Sequence, residues 1–252
     1  MTERGFAPPE PARRFAPRAV GLQELAPMLR DTRQLFAVAP LRLCGLFLLI
    51  FLPLELLAAW PYAGVPLRYG AAEIAFCGFF LALDAGRAGR APALADLLAP
   101  WRLPADKIVL LAASGLLPLV AGLLVWWVDQ GWGVVDAYLG GGGGDSAFAL
   151  RQEFEFALVL NLVGAPLLFL QPLCVLRSWS GSRTLAASLL AFAANWQWLL
   201  ALALLTAALS LGLDAIDVSS PLEMLLALVG DVAAEMVLSA FTLVLLERTL
   251  RS

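Results

Sequence analysis

"KIVLLAASGLLPLVAGLLVWWV", Lys107 to Val128, carries no charge after its first residue. A bilayer core about 30 Å thick takes roughly 20 apolar residues per helix, so this run is long enough to cross one. Arg102 and Lys107 flank it on one side and Asp129 on the other. Lysine and arginine are retained on the cytoplasmic side, so the flanks also give the run a direction.

Five more stretches meet the same requirement: Leu41 to Trp60, Tyr69 to Ala85, Phe154 to Leu176, Trp196 to Leu213 and Leu222 to Leu246. The second is the shortest and contains Glu73. Sorting the 17 basic residues by connection puts seven before or at the start of the first span. Four more (Arg87, Arg90, Arg102, Lys107) fall between spans two and three, Arg177 and Arg183 between four and five, and Arg248 and Arg251 at the end. The opposite side has only Arg68 and Arg151, an asymmetry that removing any one span would scramble. The sequence therefore predicts an all-α, polytopic bundle of six spans with both termini cytoplasmic. The 252-residue chain is 61% hydrophobic and 15% charged, with mean hydropathy +0.82, more apolar surface than one soluble core can bury.

Residues 1–19 hold four prolines and four arginines without an apolar core, which reads as a disordered cytoplasmic tail and not a secretory signal. Residues 20–252 then form a single membrane domain. Cys44, Cys77 and Cys174 lie in apolar runs, so no disulfide framework is expected. The outer connection 129–153 carries Asp129, Asp136, Asp145 and Glu153 around five glycines, Gly140 to Gly144, a flexible tether with no Gly-Lys-Ser/Thr to make it a phosphate loop. Asp214 and Asp217 mark the outer turn before span six. Trp60, Trp126, Trp196 and Trp198, with Trp127 and Trp132, fall near span ends, where tryptophan anchors at headgroup level.

Three segments preceding spans one, three and five are alike: "TRQLFAVAPLRL", "LADLLAPWRLP" and "AASLLAFAANWQW". In the first, Leu22, Leu25, Leu29 and Phe36 share a face away from Glu24, Asp31 and Arg33, the pattern of a helix lying in the interface. The fold then reads as three hairpins, each preceded by a short cytoplasmic interfacial helix, although any connection that turns at the interface favours Leu, Trp and Arg. Asn195 and Trp196 are expected to cap the third interfacial helix and anchor span five.

The segments "RDTRQLF" (Arg30 to Phe36) and "PLLFLQPLCVLRSWSGSRTLAASLLAFAANW" (Pro166 to Trp196) give the chain a resemblance to the YciC-like family of six-helix bacterial inner-membrane proteins. The likeness covers roughly Arg30 to the C-terminus and implies an inner-membrane address and the three-hairpin fold. It transfers no catalytic residue, and neither the glycine-rich outer loop nor the arginine-rich tail belongs to it.

An ionisable residue inside a span costs about 2.5 to 3.5 kcal/mol at mid-helix, which marks it as a functional candidate. Glu55, Glu73, Asp231 and Glu235 are such residues, and the last two are four apart on one helix face. No lysine or arginine is expected at matching depth, so the four should stand unpaired as neutral acids along one outward-opening passage. They would serve a proton or cation pathway or a polar cavity for a cationic or amphiphilic ligand. The plainer reading, which the sequence favours, is that they hydrogen-bond across helices and hold the bundle together. Pro53, Pro118, Pro166 and Pro172 are expected to kink their spans. The "VGD" at Val229 to Asp231 lacks the second facing aspartate of an intramembrane protease.

The chain has no histidine and its cysteines lack ligand spacing, so neither a Ser-His triad nor a zinc site is expected. The expectation is a non-enzymatic bacterial inner-membrane protein without cofactor or nucleic acid, an accessory or scaffold whose partners are membrane lipids and other inner-membrane proteins. Its basic cytoplasmic face would attract anionic lipid. The alternative is a small proton-linked transporter or the permease subunit of an exporter.

Overall fold

The computed structural model describes residues 17–140, 150–214 and 221–250, and no strand occurs among the described residues. Its helices are α1 (Leu25–Ala37), α2 (Pro40–Ala58), α3 (Gly64–Arg87), α4 (Leu94–Leu98) and α5 (Ala105–Gln130). They are followed by α6 (Trp132–Leu139), α7 (Leu150–Gly164), α8 (Leu170–Leu176), α9 (Gly181–Asp214) and α10 (Pro221–Leu250). Among the described residues, five units are long and apolar enough to cross a bilayer: α2, α3, α5, the α7–α8 pair and α9 as far as Leu209. Their outward faces are as apolar as their inner ones. On α5, Val109, Leu117, Val120, Leu124 and Val128 are all exposed, which leaves lipid as the fitting solvent for that face.

The long helices follow one another around a ring. α2 packs on α3, α3 on α5, α5 on α7, α7 on α9 and α9 on α10, which returns against α2 and α3. Small residues permit the tightest approaches. A Cβ on Gly115 of α5 would press on the backbone carbonyl of Tyr69 in α3, and one on Gly78 of α3 would meet the backbone of Leu97 in α4. α3 ends in a Schellman turn, with Gly89 at φ +73°, the Gly89 N–H on the Gly86 carbonyl and the Arg90 N–H on the Ala85 carbonyl. Arg90 then forks onto Asp96 at 2.7 and 3.1 Å, while Asp96 accepts the Ala93 N–H at the start of α4.

One end of the ring is closed by a buried amide. α9 is continuous except at Asn195, whose backbone leaves helical geometry (φ −130°, ψ 25°) and whose side chain is 3% exposed. The Asn195 carboxamide accepts the Val20 N–H at 2.8 Å and donates to the Arg18 carbonyl at 3.0 Å and the Thr249 hydroxyl at 3.1 Å. Trp198 donates its indole N–H to the Val20 carbonyl at 2.7 Å, and the Arg18 N–H bonds the Thr249 carbonyl at 3.0 Å. Around this clasp, Arg248 bonds Glu24 at 3.0 Å and Asp31 at 2.5 Å, and the Asp31 bond raises its guanidinium pKa further above the ordinary value. Arg87 pairs with Asp84 at 2.5 Å and with Glu247. The buried Lys107 ammonium caps α8 by donating to the Cys174 and Arg177 carbonyls at 2.6 and 2.8 Å, a favourable place for a cation.

Several sequence expectations change. Pro17–Val20 is extended chain held by the clasp, so the described part of the tail is not free; residues 1–16 lie outside the described residues. The outer connection contains a helix, α6, which begins where Gly131 (φ +85°) turns the chain back over the end of α5. Most of the glycine run, 141–144, lies outside the described residues, as does Asp217. On α1 the side facing the bundle is Met28, Thr32 and Leu35, whereas Leu22, Leu25 and Leu29 are exposed and Phe36 leaves their stripe to pack on the core. Trp60 and Trp196 are exposed at 62% and 51%, but Trp126 is only 2% exposed. It is buried because α6 and α7 cover it: its ring stacks on Phe156 of α7 at 4.2 Å, meets Tyr138 of α6 edge-on at 5.4 Å, and donates its N–H to the Gln152 carbonyl of α7 at 3.1 Å. Trp198 is half-buried and belongs to the clasp. Asn195 acts as a cross-link in the kink, beyond capping its own helix. The three cysteines are free, and Cys44 is exposed.

Replacing Asn195 with Leu strands the Val20 N–H and the Arg18 carbonyl, so it is expected to destabilise the protein by about 3 kcal/mol, at about 1–3 kcal/mol per orphaned buried group. The loss would be read as a lowered melting temperature in detergent together with faster proteolysis at residues 17–24. An unchanged melting temperature would contradict the clasp.

Candidate functional site

Inside the ring lies a cavity of about 420 Å³ to which all six long units contribute. α2 supplies Glu55, α3 supplies Arg68 and Glu73, α5 supplies Ser114, and the α7–α8 unit supplies Asn161 and Gln171. α9 adds Thr206, and α10 adds Glu235 and Thr242. The rest of the wall is mainly hydrocarbon, including Phe51, Leu54, Phe76 and Leu202. This size and this mixture of apolar wall with a few convergent polar groups are those of small-molecule sites, which run from about 300 to 1,000 Å³.

Three of the four acids singled out from the sequence thus meet in one place. Asp231 lies one turn before Glu235 on α10, and its side chain falls outside the described residues. The expectation that no cation stands at their depth fails for Glu55, which pairs with Arg68. α3 begins at Gly64 and not at Tyr69, so Arg68 is part of the helix and sits opposite the last turns of α2. Their side chains are 34% and 39% exposed, so solvent screens the pair and it is worth little to stability.

Glu73 is held from two sides. Gln171 donates its amide N–H to Oε2 at 2.8 Å, and the Ser114 hydroxyl lies 3.3 Å from the same oxygen. That hydroxyl has a single proton and a shorter contact, 2.7 Å, to the Leu111 carbonyl, so the amide is the firm partner. Both contacts reach Oε2, and Oε1 accepts no hydrogen bond from the described residues. Asn161 donates one N–H to the Ala157 carbonyl at 2.8 Å, and its oxygen accepts no hydrogen bond from the described residues. Thr206 bonds back to the Leu202 carbonyl at 2.9 Å.

Gln171 was not singled out in the sequence, and neither were Ser114 and Asn161. The available signal was a polar side chain inside an apolar span, as each of these is, but neutral groups cost too little in lipid to stand out. Of the four prolines expected to kink their spans, Pro166 coincides with a break, a short 3₁₀ segment, Ala165–Leu167, between α7 and α8; Pro118 lies on the cavity wall within the continuous α5. Among the described residues, no three side chains of the His, Cys, Asp and Glu types come together as a metal site. Comparison with models of known families, with curated proteins and with solved structures finds no match to this chain.

Gly115→Leu is expected to cost about 3 kcal/mol by forcing α5 off α3, since overpacking against backbone sits at the high end of its usual range. Glu55→Ala should cost only about 0.5 kcal/mol, as exposed pairs do. Thermal unfolding of the two variants in the same detergent tests both; equal losses would contradict the packing assigned to Gly115.

Proposed function

We propose that this chain is a bacterial inner-membrane protein of six spans, α10 being the sixth, arranged as three hairpins with both termini in the cytoplasm. Its role is non-enzymatic: an accessory protein that touches lipid and other membrane proteins and holds a small ligand in the ring's central cavity. The single observation carrying the ligand reading is that every long unit of the ring contributes to one cavity with acidic and amide groups on an apolar wall. Support for six spans comes from the length of α10, whose 30 residues at about 1.5 Å each exceed the bilayer core. The charge asymmetry supports the orientation, because the clasp end of the bundle carries Arg18, Arg87, Lys107 and Arg248, whereas Arg68 lies at the other end. The likeness to the YciC-like group supports the bacterial address. The exposed Leu22, Leu25 and Leu29 beside the exposed Arg30 and Arg33 support contact of α1 with an anionic lipid surface.

A second reading, a small transporter, is favoured by one feature of the wall: the α7–α8 unit is interrupted beside the cavity, and discontinuous helices at a central site are characteristic of carriers. The two readings separate in proteoliposomes. A carrier gives flux driven by a proton gradient that disappears in the Glu73→Gln, Glu235→Gln double variant, and a binding protein gives none in either form. For the topology, an alkaline phosphatase inserted within 140–144 is expected to be active and one fused after Ser252 silent; the reverse pattern would remove the proposed orientation.

A further inference from the structure

The cavity's hydrogen-bonding inventory specifies its ligand more narrowly than its shape does. Among the described groups on the wall, Arg68 faces Glu55, one N–H of Gln171 is on Glu73, and one N–H of Asn161 is on the Ala157 carbonyl. Glu73 Oε1 and Asn161 Oδ1 accept no hydrogen bond from the described residues. Three carboxylates face one guanidinium on this wall, and that guanidinium is committed to one of them. A ligand that engages these two oxygens brings N–H or O–H donors, and a positively charged one also complements Glu73, where an anion would face a like charge. The wall around these groups is hydrocarbon from Phe51, Leu54, Phe76 and Leu202, which suits an apolar chain attached to the charge.

We propose that the central cavity binds the ammonium head of a single-chain cationic amphiphile, with Glu73 and Asn161 receiving its N–H groups. This rests on the reading of the cavity as a ligand site and adds the chemical class. Glu235 supplies further negative charge from α10 on the same wall. Volume restricts the occupant to a head and a short length of chain, since about 420 Å³ lies near the lower bound for ligand sites and cannot enclose a two-chain lipid.

The test uses the full-length protein in nanodiscs of zwitterionic phospholipid, with empty nanodiscs subtracted for partition into lipid. Decylammonium, decanol, decanoate and methylammonium are titrated separately by calorimetry. Decylammonium is expected to bind at least tenfold more tightly than decanol, with decanoate weaker still and methylammonium at least tenfold weaker than decylammonium. Glu73→Gln keeps the shape and is expected to weaken decylammonium at least tenfold while leaving decanol unchanged. Equal binding of decylammonium and decanol, or no effect of Glu73→Gln, would overturn the ammonium assignment. Methylammonium binding as tightly as decylammonium would transfer the site to a soluble amine and overturn the amphiphile. Ala203→Phe fills the cavity from α9 and separates the two levels of the argument. If it abolishes decanol binding while decylammonium shows no preference, the cavity is a ligand site of another class; if it changes binding of no probe, the ligand reading of the cavity falls as well. A circular dichroism melt of each variant confirms that binding is compared between folded proteins.

Discussion

The Asn195 carboxamide sits at the centre of the bonds that join three distant pieces of chain. It bonds the N-terminal segment at Arg18 and Val20 and the end of α10 at Thr249. A buried primary amide offers two donors and one acceptor site group, and each is used here, so the node tolerates little displacement of any partner. Closing α10 against α1, α2 and α3 turns a row of helices, each leaning on the next, into a ring. A row would expose the acids of α2, α3 and α10 to different surroundings, whereas a ring makes them face one another.

The clasp end and the cavity are built on different physics. At the clasp end, charges and amides pair with one another, as in Arg248 with Glu24 and Asp31 and in Lys107 on the carbonyls of α8. At the opposite end, aromatic packing does the work: Trp126, Tyr138 and Phe156 close over the tip of α5 beneath α6. Tyr62 ties α6 to the turn between α2 and α3 through its N–H on the Leu139 carbonyl at 2.5 Å. Between these two closed ends the helices are held apart enough to leave space, and the close contacts that glycine permits at Gly115 and Gly78 decide which pairs approach and which do not.

Local pattern made much of this legible. Hydropathy over about 20 residues placed the long helices to within a few positions, because transfer into lipid is a sum over neighbouring residues. The exception is α9, which begins at Gly181 and not at Trp196, since the third interfacial segment runs into the span as one helix. The same reasoning picked out Glu55, Glu73 and Glu235, because a carboxyl group in an apolar run is conspicuous whatever surrounds it. It failed for Arg68 because that residue's role depends on where α3 begins, and helix starts are the least certain part of such a reading. It failed for Trp126 because a tryptophan at a span end looks the same whether lipid or another helix covers it, and only the fold-back of α6 decides.

The sequence by itself determined the all-helical class, the apolar segments, the uneven distribution of basic charge, and the acids carried within those segments. Each of these is set by residues close together in the chain, through helix periodicity and the cost of placing charge in lipid. Tertiary structure alone decided the closure of the ring, the pairing of Arg68 with Glu55, the engagement of Glu73 by Gln171, and the conversion of Asn195 from a cap into a cross-link. Those outcomes depend on which helix faces meet, as in the bond between Val20 and Asn195 across a separation of 175 residues, and no local period encodes such a meeting.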